Sequence, residues 1–166
     1  MDSLFEDWVP FNTAVAGAGA ALGGLLIVAL SVNIKQIAES RGLAARAGAS
    51  IASLILGVVL CCLALIPGQE PVGYAIQVLV GGLAVAVVAA LAARAIRHDE
   101  TRAGFHQYDA SQIVPFVIPV LTYLAGGVLL LIAQPAVGLV VVAAASILAI
   151  VATVLFSWVA LIEVLR

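Results

Sequence analysis

A chain of 166 residues that is 64% hydrophobic and only 10% charged, with a formal net charge of −2 and a mean hydropathy of +1.24, lies far from soluble composition. Soluble domains are roughly half apolar and a quarter charged, so an ordinary soluble globular domain is excluded and lipid must serve as solvent. Seven basic residues against nine acidic ones leave no cationic footprint, and no nucleic-acid partner is expected.

A hydrocarbon core about 30 Å thick is crossed by about 20 helical residues. Five apolar runs are that long, at residues 11–34, 47–66, 72–96, 113–133 and 136–165. The predicted fold is therefore all-α: one domain over residues 1–166, an integral membrane bundle of five transmembrane helices. Strands of a membrane barrel would instead alternate over segments of about ten residues. The fifth run exceeds what a bilayer needs, which favours tilting or protrusion.

The residues before the first run include Asp2, Glu6 and Asp7 and no cation. An acidic start followed by a long apolar core predicts an N-out anchor rather than a cleavable signal peptide. The first run carries Gly19-x-x-x-Gly23, flanked by Ala16, Ala20 and Gly24. Small residues at this spacing let membrane helices approach closely. Two uses are open: packing within the chain, or a face for a second copy or another membrane protein. The first connection follows with Lys35, Arg41 and Arg46.

In the second run the adjacent Cys61 and Cys62 point about 100° apart and lack CxxC spacing, so they read as small packing residues. Pro67-Gly68-Gln69-Glu70-Pro71 makes a tight turn whose prolines end one helix and start the next. The third run again offers small residues, Gly81 and Gly82 with Ala86, Ala89, Ala90 and Ala93. The connection at 94–112 holds His98, Asp99, Glu100, His106 and Asp109, which are metal-ligand types. They lack paired zinc-site spacing and are interspersed with Arg97 and Arg102. A solvated basic loop facing lipid headgroups is expected there, and no metal or other cofactor is assigned.

The fourth run begins with Pro115 and Pro119, the second deep enough to free a carbonyl and bend the helix. Thr122 and Tyr123 follow near mid-depth, then Gly126-Gly127. After Gln134-Pro135 the fifth run brings Ala143 to Ala145, Ser146, Ala149, Ala152 and Thr153. A shift of 65 residues aligns Gln69 with Gln134, Val72 with Val137 and Gly73 with Gly138, as a weak parallel repeat of the two hairpins would.

Five crossings place all seven basic residues on one side and none on the other. The positive-inside bias then predicts an outside N-terminus and a cytoplasmic C-terminus. Aromatic residues fit an interfacial belt, with Phe5, Trp8, Phe11 and Tyr74 outside and Phe116, Phe156 and Trp158 inside. No ionisable residue occupies the centre of any run, so a transporter with its own intramembrane carboxylate is disfavoured. Both histidines lie in the 94–112 connection, which leaves no axial ligand for a mid-membrane haem. Nucleophile, base and orienting group converge nowhere, so an enzyme is not expected.

The residues FNTAVAGAGAALGGLLIVALSVNI, then RGLAARA, then ALIPGQ, resemble a group of small actinobacterial multi-span membrane proteins. Members are sometimes labelled modulators of the FtsH-type membrane protease. The resemblance covers about the first seventy residues and is most specific at Ala29-Leu30-Ser31-Val32-Asn33 and Pro67-Gly68-Gln69. It implies a multi-pass protein of the bacterial inner (plasma) membrane and supplies no catalytic residue. Abundant packing surface without reactive groups predicts a non-enzymatic accessory or regulatory subunit, or a homo-oligomer, held by helix–helix association. The alternative is an oligomeric channel or facilitator in which Thr122, Tyr123 and Thr153 line a largely hydrophobic pore.

Overall fold

The computed structural model describes residues 4–39, 41–97, 109–132 and 134–164, and every regular element among them is helical. A 3-10 turn at Glu6–Trp8 leads into α1 (Val9–Val32), followed by the short α2 (Ile34–Glu39) and then α3 (Arg41–Ala64). The remaining helices are α4 (Pro71–Arg97), α5 (Asp109–Leu131) and α6 (Pro135–Val164). All but α2 are long and apolar enough to cross a bilayer, giving five spans in a multi-pass helical membrane protein.

The helices outrun the apolar segments at their polar ends. α3 begins at Arg41 rather than at residue 47, so Arg41 and Arg46 are helical and do not form an open connection. Arg, Leu and Ala are strong helix formers, and the lone Gly42 cannot stop them. α4 extends to Arg97 and α5 begins at Asp109, which places a cation at a negative helix end and an anion at a positive one. The connection predicted at 94–112 is shortened accordingly. His98, Asp99, Glu100 and His106 lie outside the described residues. The first span stops at Asn33, whose ψ of 22° leaves the helical region. Its side-chain amide donates to Ala29 O at 3.0 Å, satisfying a carbonyl of the last turn.

Between α3 and α4 the chain reverses at Ile66–Gln69, where Gln69 N donates to Ile66 O at 3.2 Å. Gly68 has φ +75°, as the third residue of a type II turn requires after Pro67. Pro71 and Pro135 are the first residues of α4 and α6, where a missing N–H leaves no intrahelical bond unmade.

The buried clusters reveal an alternating, up-and-down topology. One end gathers Phe5, Ala64, Tyr74, Leu130 and Leu139, from the start of the chain, the end of α3, the start of α4, the end of α5 and the start of α6. The opposite end gathers Leu26, Ile37, Leu43, Ala47 and Phe156 in one cluster and Ala49, Ala92 and Phe116 in another. Lys35, Arg41, Arg46, Arg94 and Arg97 all belong to this second end by their places in α2, α3 and α4. α3 is the central helix, in contact with α1, α4, α5 and α6. α1 is peripheral: only 11% of its span is buried, against 33–56% in the other four.

Four aromatic residues assigned to an interfacial belt turn inward instead. Phe5, Tyr74, Phe116 and Phe156 are 2–5% exposed, and only Trp158, at 68%, faces outward in full. A helical bundle splays at its ends, and large rings fill the space that small residues cannot.

Candidate functional site

The five glycines singled out for helix packing divide by face. A Cβ on Gly19 would lie 2.7 Å from Val58 Cγ2, and one on Gly23 would lie 3.7 Å from Leu54 Cδ2. Both therefore serve the contact of α1 with α3. Gly24 is different: a Cβ there meets nothing within 4 Å, and the residue is exposed. On α4, Gly81 admits Leu56 of α3 and Gly82 admits Leu124 of α5, so α4 uses these adjacent glycines on two neighbours.

At 100° per residue, Gly24 shares an outward strip with Thr13, Gly17, Ala20 and Ser31. All five are exposed, and Gly17 also has nothing within 4 Å of a built Cβ. The strip points away from α3 and is complete in itself, since the one hydroxyl bond described along it, Ser31 Oγ to Ile27 O at 2.7 Å, stays within α1.

Three further glycines make close approaches that the sequence alone did not reveal. A Cβ on Gly126 would lie 3.1 Å from Val142 N and 3.3 Å from Gly138 O, and one on Gly138 would lie 2.9 Å from Leu130 N. Here α5 and α6 meet backbone to backbone. Counting outward along both helices from the Gln134-Pro135 turn would have paired these two positions. Gly57 on α3 makes room for the Tyr123 hydroxyl, 2.7 Å from where its Cβ would be. By contrast Gly73, which the 65-residue shift aligns with Gly138, has nothing within 4 Å of its built Cβ.

The polar residues proposed for a pore are not brought together. Tyr123 is fully buried and donates to Ser146 Oγ at 3.2 Å, and Ser146 Oγ in turn donates to Val142 O at 3.1 Å. Thr153 is buried deeper toward the basic end, its Oγ1 2.8 Å from Ala149 O and 3.4 Å from Ser50 O. Thr122 is half-buried and donates to Ile118 O of its own helix at 2.8 Å. Tyr123 and Thr153 thus lie inside one protomer, where a pore between protomers does not reach them.

Two residues that drew no role from sequence join this interior polar set. The Tyr74 hydroxyl donates to Leu60 O at 3.2 Å, and the Phe5 ring stands edge-on to Tyr74 at a centroid distance of 5.4 Å. The hydroxyls of Ser50 and Ser53 are buried without a hydrogen-bond partner among the described residues. α5 runs without interruption through Pro115 and Pro119, the latter among the most buried side chains. Cys61 is buried, Cys62 is exposed, and both are free thiols.

Arg46 is buried at the second turn of α3, its guanidinium carbon 5.7 Å from the centre of the Phe156 ring. A guanidinium over an aromatic face is an attractive pair that retains charge at low water content. Among the described residues no three His, Cys, Asp or Glu side chains gather as metal ligands would. No protein-family model, curated protein or solved structure matches this chain.

Proposed function

We propose that the protein is a non-enzymatic accessory or regulatory subunit, or a homo-oligomer, that associates through the outer face of α1. The observation that carries this reading is the contrast within one helix. Gly19 and Gly23 are consumed by α3, whereas Thr13, Gly17, Ala20, Gly24 and Ser31 form a second small-residue strip with no partner in the chain. Lipid tails attract such a strip no better than they attract leucine, and a second helix can approach it closely enough to gain van der Waals contact.

The reading includes a bacterial plasma membrane with the basic end in the cytoplasm. The clustering of Lys35, Arg41, Arg46, Arg94 and Arg97 at one end supports that orientation. The resemblance of the first seventy residues to small actinobacterial multi-span proteins, sometimes labelled modulators of an FtsH-type protease, points to the same membrane.

Substitution at the strip tests the reading without disturbing the protomer. Gly17→Leu with Gly24→Leu is expected to reduce the mass of the solubilised particle or to release its co-purifying membrane partner. Gly73→Leu, equally unopposed within the chain, is the control. An unchanged particle mass and an unchanged set of co-purifying proteins would refute association through α1.

A further inference from the structure

We infer that the groove between α1 and α6 at the basic end binds one acyl chain of an anionic phospholipid, with its phosphate held toward Lys35. Leu22, Leu25, Leu26 and Ala29 form one wall, and Thr153, Val154, Ser157 and Trp158 form the other. These walls lie about a quarter turn round α1 from the Gly17 and Gly24 strip, so the lipid site is independent of the association face.

Size decides what the groove takes. Its volume is about 370 Å³. A helix is about 10 Å wide with side chains, so one laid along the roughly 10 Å from Leu22 to Ala29 would need roughly 800 Å³. A helix from a second copy is too thick, whereas a single hydrocarbon chain is a narrower rod. The lining is almost wholly aliphatic, which suits methylene groups.

Charge decides which lipid. Leu26, at the floor of the groove, packs in one cluster with Ile37 and Phe156. Ile37 lies two residues beyond the exposed Lys35, and Phe156 carries the Arg46 guanidinium over its ring. The end of the groove therefore opens where α2 and the start of α3 present cations. Trp158, 68% exposed, stands beside it with an indole N–H suited to the headgroup boundary. Glu39 and Glu163 belong to the same end, so the site draws its preference from Lys35 rather than from net charge alone.

The test is native mass spectrometry on the full chain, stripped of lipid in mild detergent and titrated with phosphatidylglycerol or phosphatidylcholine of matched acyl chains. One phosphatidylglycerol per chain is expected, bound about fivefold more tightly than phosphatidylcholine, as one cation near a membrane surface gives. Lys35→Gln, on an exposed side chain, should abolish the preference while retaining residual binding of both lipids. Ala29→Phe should weaken both several-fold by filling the groove. Leu25→Trp at its mouth does the same if Ala29→Phe fails to fold. Equal binding of the two lipids by the unaltered chain would overturn the inference. So would undiminished binding by a folded groove variant, or a groove variant that changes only the particle's oligomeric mass.

Discussion

The hydroxyl of Tyr123 is placed by what Gly57 lacks. On α3 the missing side chain leaves 2.7 Å between the site of a Cβ and the Tyr123 oxygen, which then reaches Ser146 Oγ at 3.2 Å. Interhelical hydrogen bonds in membrane proteins contribute about 0.6 kcal/mol on average, so Tyr123→Phe should cost about that much. Gly57→Ala is expected to cost more in the native background than in Tyr123→Phe, where the obstructing oxygen is gone. Unfolding in mixed micelles as a double-mutant cycle measures both, and additive costs would refute the contact. At Ser53 the sign reverses. Its buried hydroxyl has no partner among the described residues, so Ser53→Ala is expected to be neutral or stabilising, whereas Ser146→Ala should destabilise.

At the scale of the elements, the α5–α6 hairpin rests on a backbone contact and the α3–α4 hairpin on a turn. Gly138→Ala would put a carbon 2.9 Å from Leu130 N, and a backbone atom cannot swing aside. Overpacking of this kind costs about 1–3 kcal/mol, whereas Gly73→Ala should stay within about 0.5 kcal/mol. Thermal unfolding of the two variants in one detergent gives the comparison, and equal melting temperatures would rule out the close approach. In the other hairpin, Gly68 at φ +75° resists a branched side chain, and Gly68→Val should cost at least about 1–2 kcal/mol. Both turns were legible in the sequence, because proline and glycine act on the local backbone whatever surrounds them. The Gly126–Gly138 contact depends on the depth at which two helices meet, and a one-dimensional pattern holds no such register.

For the whole molecule, the segregation of cations to one end makes a prediction about the bilayer. With Glu70→Cys in the α3–α4 turn and Lys35→Cys in α2, a membrane-impermeant maleimide should label the first in intact cells and the second only after permeabilisation. Labelling of both from outside would refute the orientation. The same asymmetry locates the lipid groove at the end where anionic headgroups find cations. The peripheral seat of α1, buried over 11% of its span, leaves one helix of the bundle with a face to offer. The other four are committed to each other through α3.

Length and apolarity by themselves determined that the chain is helical and crosses a membrane in five spans, because bilayer thickness and unsatisfied backbone groups allow little else. The spacing of Lys and Arg along the chain likewise determined that the cations share one end. Which face of each helix is buried was decided only by the tertiary structure. Lipid and protein interior are equally apolar, so a membrane helix shows no hydrophobic and polar sides from which its inward direction can be read. Hence Gly19 and Gly24, five residues apart in one glycine-rich run, have opposite fates, and Tyr123 and Thr153 lie in the packed interior rather than along a pore.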